Sequence, residues 1–316
     1  MLPSTSLFFL AGVPLAVWLY VRRERRSKEG SVDERVVHAL TQRHRYGRGV
    51  RPYFALDFAF THLNHASYGC APYPVMRAAR ESMLYVEAYP DRFMRRAEEA
   101  QGLVRRAADR CAEELFQAPS GSCAFVENAT AGVNAVLRSL RLTPGSTMVI
   151  TNHTYNACKN AINDTAERCG VSVVVHSVGL PLTRGKGGEG SYEDGLVEAW
   201  EATLASLPPG KVSFCLIDHI TSPTAIVMPV ARLVKACKAV GSLVMVDGAH
   251  SPGQVAGLNV PAMGADWFVG NMHKWCFTLK GVALLHAADG VRESMTQGSI
   301  ISHFWKKSFA ERFFSE

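Results

Sequence analysis

Lys274 stands in the run "DWFVGNMHKWCF", Asp266 to Phe277, between a histidine and a tryptophan, in a stretch otherwise apolar enough to be core. Burial disfavours an ammonium group and pushes a lysine toward its neutral, nucleophilic amine, unless it is held as a salt-bridged structural residue. Asp247 has a similar setting, closing the apolar run "SLVMVD", with His250 three residues later in "GAHSPG". A carboxylate there is costly unless a cation or a protonated ring nitrogen pairs with it. It is therefore either a loop-fixing cap or an acid facing a ligand. After "CAFVE", "NATAGVN" from Asn128 to Asn134 opens a helix with small residues and Thr130. Free backbone N–H groups and the helix dipole at such a start favour an anion such as phosphate, and a plain Asn or Thr cap is the alternative. After "TMVIT", "NHTYNA" supplies His153 and Tyr155, rings on which a planar ligand could stack or which could be satisfied polar rings of a core.

Each of these groups follows a short β-rich run, and the runs alternate with helical patterns. Helices are predicted over about Tyr73 to Tyr89, Arg95 to Phe116, after Thr130, Asn156 to Arg168, Tyr192 to Leu207 and Val230 to Val240. Strands are predicted at "CAFVE", "TMVIT", "VSVVVHSV", "VSFCLID", "SLVMVD", "DWFVG" and "VALLHA". Repeated strand–helix units imply an α/β fold, a mostly parallel sheet with helices on both faces. Ligands in such sheets lie beyond the carboxyl ends of the strands, where the candidate residues fall.

The chain has 316 residues, 47% of them hydrophobic and 20% charged, which excludes a disordered protein. Its formal charge of +6 is concentrated near the N-terminus in "RRERRSK" and "QRHRYGRGVR". No basic stripe interleaved with aromatics follows, so no nucleic-acid partner is expected. The eight cysteines include no CxxC pair and read as buried free thiols, with no metal site. Residues 1–26 are read as a hydrophobic anchor with a basic flank: the first 21 carry no charge, and "LFFLAGVPLAVWLYV" meets "RRERR". That run is short for a span of about 20 residues unless "PSTS" and the Trp18/Tyr20 belt lie at the interfaces. The arginines would keep the following domain cytoplasmic; a cleaved signal or an organelle presequence is the alternative. Residues 27–55 read as a linker with one short helix near Val32 to Thr41, 56–300 as the folded domain, and 301–316 as the start of a further one.

A phosphate cradle, a flat ring partner, an acid and an amine, each at a strand end, match the needs of pyridoxal phosphate. That cofactor takes a lysine for its Schiff base, an aspartate at its pyridine nitrogen and a phosphate cup. A literal GxGxxG, "GKGGEG" from Gly185 to Gly190, does not compete. A dinucleotide fingerprint needs its glycines directly after a strand, and "GLPLTR" intervenes here.

With "LNHASYG", "PDRF", "NATAGVN", "NHTYNA", "IDHITSPTAIVMPVARLVKAC", "VDGAHSPGQV" and "GNMHKW", the chain resembles the class V aminotransferase superfamily of fold-type I pyridoxal-phosphate enzymes from about Leu63 to Ser302. The branch it is most similar to contains isopenicillin N epimerase and plant-type L-cysteine desulfhydrases. The resemblance implies that Lys274 carries the cofactor, Asp247 pairs with the pyridine nitrogen, His250 lies near the phenolic oxygen, and His153, or Tyr155, stacks on the ring. It assigns the phosphate to the N–H of Ala129, Thr130, Asn271 and His273, and the substrate mouth to Asn64. Ser222 stands where desulfurase relatives have an asparagine on the phenolic oxygen. A homodimer acting on an amino acid, by C–S lysis or epimerisation, is implied. The resemblance also implies a small C-terminal domain that supplies an arginine for the substrate carboxylate, expected to be missing here because the sequence stops at "ERFFSE". A membrane-anchored, catalytically impaired binding or dimer partner is the alternative.

Overall fold

The computed structural model describes residues 47–57, 59–95, 100–185, 188, 190–295 and 308–313. The described residues form two compact units, one reaching to Arg110 and including Met272–Val282, the other comprising Cys111–Asn271 and the residues from Ala283 onward. The expected anchor over 1–26 and most of the expected linker lie outside the described residues. Among those described, no helix is long and apolar enough to cross a membrane.

In the first unit, the end of the stretch read as linker is structured. Gly47–Tyr53 forms a 3-10 helix, and Phe54 pairs as an antiparallel bridge with Pro72. Arg51 fixes this turn by donating to the carbonyls of Asp57, at 2.9 Å, and Phe60, at 3.1 Å, partners too irregular in spacing to be read from a polar sequence. Helix α1 (His65–Tyr68) and helix α2 (Tyr73–Ala88) follow. Pro74 sits in the first turn of α2, where its missing N–H leaves no bond unmade. The next helical residues begin earlier than Arg95, with α3 (Pro90–Arg95) preceding α4 (Ala100–Phe116). The residue before a proline avoids the helical region, so Tyr89 leaves it, at φ −145° and ψ 58°, and Pro90 starts a new helix.

The second unit is built on seven strands: β1 (Cys123–Val126), β2 (Thr147–Thr151), β3 (Ser172–His176), β4 (Val212–Asp218), β5 (Leu243–Asp247), β6 (Trp267–Asn271) and β7 (Ala283–Ala287). Their order across the sheet is β1-β7-β6-β5-β4-β2-β3. β7 pairs antiparallel with both β1 and β6 while the other neighbours are parallel, so β7 alone is reversed. Between the strands run α5 (Ala129–Ser139), α6 (Asn156–Cys169), α7 (Tyr192–Ala205) and α8 (Val230–Ala239). The short α9 (Met272–Trp275) follows β6 in the chain but belongs to the first unit, and α10 (Asp289–Arg292) and α11 (Phe309–Arg312) come last in the second.

Strands buried on both faces are apolar at nearly every position, which is why "TMVIT" and "WFVGN" read as unbroken runs. Along β4, Phe214 and Leu216 join a core with Val133 and Val136 of α5 and Ile162 of α6. Cys215 alternates to the other face, where Ser242 donates to its sulfur, and Trp200 of α7 donates to Cys237 of α8. All eight cysteines are free; Cys123, Cys158, Cys215 and Cys237 are buried, whereas Cys70, Cys111, Cys169 and Cys276 are only half-buried, fewer than the sequence suggested. Phe309 and Phe313 complete the core beside β1, so the segment at 308–313 packs as part of this unit.

Candidate active site

The parallel strands deliver their chemistry at one edge because they all point the same way. In the second unit, Asn128 closes the turn after β1 and its side chain accepts the Ala131 N–H at 2.9 Å, a cap that frees the start of α5 for other contacts. The Ala129 N–H donates instead to Oδ1 of Asn271, at 2.9 Å, across from β1 to the end of β6. Gly132 makes that approach possible, since a Cβ there would lie 2.7 Å from Cγ2 of Val269. Two of the residues expected at a phosphate, Ala129 and Asn271, are thus brought together, with Thr130 next in the helix.

Asp247 ends β5 buried, its Oδ1 accepting the Ala249 N–H at 3.0 Å and its Oδ2 facing Sγ of Cys158 at 3.4 Å. Burial, then the charge of Asp247, keeps that thiol protonated, far above the ordinary thiol range. The loop after Asp247 is seated by two close approaches. A Cβ on Gly248 would lie 2.0 Å from the Phe268 ring, and one on Gly270 would lie 2.4 Å from Pro252. His250 is buried within this loop.

Asp218 was not singled out from the sequence, although it closes "VSFCLID" just as Asp247 closes "SLVMVD". The sheet register sets the two opposite each other on β4 and β5. Both are buried, and the Asp218 Oδ2 has no hydrogen-bond partner. Burial first, and then the neighbouring charge of Asp247, pushes the Asp218 carboxyl up to about 8. Next to it, His219 is held neutral by burial and shares a 2.8 Å hydrogen bond with Ser251, while its N–H donates to the Asp247 carbonyl. The β4 end therefore braces the Asp247–Ser251 loop.

After β2, His153 is half-buried with Nε2 3.0 Å from the Val178 carbonyl and Nδ1 3.4 Å from Oγ1 of Thr224, which orients the ring. Tyr155 is 47% exposed at the start of α6, so of the two stacking candidates only His153 has a fixed ring. Ser222 is exposed, and the buried hydroxyl of that loop is Thr221, which accepts the Ile226 N–H.

In the first unit, Lys274 lies buried in α9. Preceding it, His273 has Nδ1 3.1 Å from the Val282 carbonyl, and burial holds the imidazole below its ordinary value, hence neutral. Asn64 is exposed and accepts from the Ser67 hydroxyl at 2.8 Å. Gly69 is fixed by geometry: its φ is +66°, and a Cβ would meet the His273 carbonyl oxygen at 1.8 Å. No group of three or more His, Cys, Asp or Glu side chains among the described residues is placed to hold a metal.

A family model, "Aminotransferase class-V", matches residues 63–312, most of the chain. The chain belongs to the aminotransferase class-V family. Within it, the chain is similar to an isopenicillin N epimerase of Amycolatopsis lactamdurans, 32% identical over 243 residues, covering 76% of this chain and 56% of that one. It is also similar to an L-cysteine desulfhydrase of Arabidopsis thaliana, 29% identical over 266 residues, covering 78% and 56%. The chain spans about half the length of the curated relatives it matches. Among solved structures, the apo cysteine desulfurase from Thermococcus onnurineus NA1 superimposes with a TM-score of 0.66 at 17% identity, over 84% of this chain and 65% of that one. At that identity the likeness establishes the α/β fold of this class-V chain and no more.

Proposed function

We propose that this class-V chain is a pyridoxal-phosphate enzyme acting on a sulfur-containing amino acid, by C–S lysis or epimerisation. The observation that carries the reading is the buried Asp247 at the end of β5, in the same sheet edge as the Ala129–Asn271 contact. Relatives named L-cysteine desulfhydrase and isopenicillin N epimerase support the substrate class.

The residues fit the cofactor. At the start of α5 the Ala129 and Ala131 N–H groups are taken by the side chains of Asn271 and Asn128, so Thr130 and the positive end of the helix are what would meet an anion there. Asp247, fixed by Ala249 and Cys158 on its two oxygens, would pair with a cationic ring nitrogen. His153, tied to Val178 and Thr224, supplies a flat face. Lys274, buried in α9, is the amine that would carry the cofactor and afterwards take the α-proton. Pyridoxal phosphate, when bound, supplies an electron sink for a substrate carbanion. Asp247 would serve that chemistry by pairing with the ring nitrogen, and Lys274 by moving a proton at Nζ. The reading takes the working form as a homodimer, with residues 1–21 as a membrane anchor and the domain on the cytoplasmic side, supported by the uncharged run before "RRERR".

The test is to mix purified protein with pyridoxal phosphate, reduce with borohydride and map the adduct by peptide mass. Modification of Lys274, absent in Lys274→Ala, is expected. An adduct elsewhere, or one that survives the substitution, would sink the assignment. Sulfide and pyruvate release from cysteine, against loss of optical rotation without release, then separates lyase from epimerase.

A further inference from the structure

Nothing so far gives His65 a role. Its ring centroid lies 5.2 Å from that of Trp275 and 4.8 Å from that of Phe277, and its Nε2 is 2.8 Å from the carbonyl oxygen of Lys274, 209 residues away in sequence. The carbonyls that end a helix lack intrahelical donors, and α9 is only four residues long. The Phe277 N–H also approaches this carbonyl, at 3.4 Å, longer than an ordinary amide hydrogen bond. Phe277 itself has φ +57°, the left-handed region that a bulky side chain avoids. Such a backbone persists only where its surroundings over-determine it.

Those surroundings come from the segment His65–Gly69 and its neighbours. The His65 ring packs at a 40° tilt against that of Phe277, and the Phe54 ring lies on Phe277 with centroids 5.9 Å apart. Gly69 lies against the His273 carbonyl, and Lys280 donates to the Gly69 carbonyl at 3.3 Å. Two consecutive carbonyls of the turn, those of His273 and Lys274, are therefore met by one N-terminal motif.

We propose that His65 is a positioning residue that fixes the backbone of the Lys274 turn, so that "NHASYG" acts through the lysine rather than on substrate. Nε2–H donates to the Lys274 carbonyl, and the ring face holds Phe277 in its strained conformation. The inference rests on Lys274 being the amine that carries the cofactor.

The test uses the full chain freed of cofactor and its His65→Phe variant, which keeps a ring in the aromatic cluster and removes the donor. Pyridoxal phosphate is added; the adduct on Lys274 is followed by its absorption band and mapped after borohydride reduction. Hydrogen exchange of peptides covering 272–278 is measured without cofactor. His65→Phe is expected to slow adduct formation by about tenfold, the order of one hydrogen bond. It should also speed exchange in 272–278 while leaving peptides of β4 to β6 unchanged. Adduct formation at the wild-type rate overturns the proposal, and so does unchanged exchange in 272–278. Should the wild-type adduct map away from Lys274, the cofactor assignment fails instead, and the exchange result alone decides whether His65 holds the turn.

Discussion

Asp247 and Lys274 are both buried polar residues, yet their backbones are held by different means. Asp247 ends a strand paired on both sides: five residue pairs join β5 to β4, and three join it to β6. Its place is shared among many hydrogen bonds and a core on each face. Lys274 lies in a four-residue helix, where His65 meets its carbonyl and Gly69 lies against that of His273, with a strained residue three positions on. A strand paired on both sides tolerates a single loss better than a one-turn helix beside a strained residue does.

That contrast can be broken by substitution. The largest effect is expected from Gly69→Ala, because the new Cβ would overlap a backbone oxygen that cannot rotate away, at a φ that already disfavours it. A loss of about 3–5 kcal/mol is expected, with faster exchange in 272–282, read by denaturant unfolding and hydrogen exchange. In the strand-braced unit, Gly248→Ala meets the flat Phe268 ring, a side chain in a packed core. About 2–3 kcal/mol is expected there. Should Gly248→Ala prove the more damaging, the contrast drawn here is wrong.

Asp218→Asn sharpens the same comparison through pH. The folded-state carboxyl is raised above its ordinary value of 3.8 to about 8 by burial and then by Asp247. Between those values the folded protein keeps a proton that the unfolded chain has released, so stability falls as pH rises through that window. The asparagine carries no such proton. Plotted against pH, its stability relative to wild type should climb from about pH 4 to pH 8, and a flat difference would show that Asp218 is ionised throughout. The smallest effect belongs to Asn128→Ala, which removes the cap of α5 for about 1 kcal/mol in thermal unfolding. It leaves the Ala129–Asn271 contact to hold the helix start.

The strand ends were legible because apolar runs that stop at a charged residue follow from two-sided burial: "SLVMVD" pointed to Asp247 and "NATAGVN" to the start of α5. The same signal was present in "VSFCLID", and the sequence reading passed over Asp218. What made Asp218 conspicuous was its register opposite Asp247, and register is a property of pairing between strands far apart in the chain. Tyr155 and His153 looked alike in "NHTYNA", and only the Val178 and Thr224 contacts distinguish them. The helix expected from Arg95 to Phe116 is described over Ala100–Phe116, and a short helix over Pro90–Arg95 precedes it, opened by the proline that breaks the helix before it at Tyr89.

The sequence by itself determined the alternation of strands and helices, the polar residues at strand ends and the resemblance that points to Lys274, since these depend on periodicity and local composition. Only the tertiary structure decided that β7 runs against its neighbours, that Asp218 faces Asp247, and that His65 reaches the Lys274 carbonyl. Those arrangements join residues tens to hundreds of positions apart, and their energies come from burial and contact that no local pattern of residues encodes.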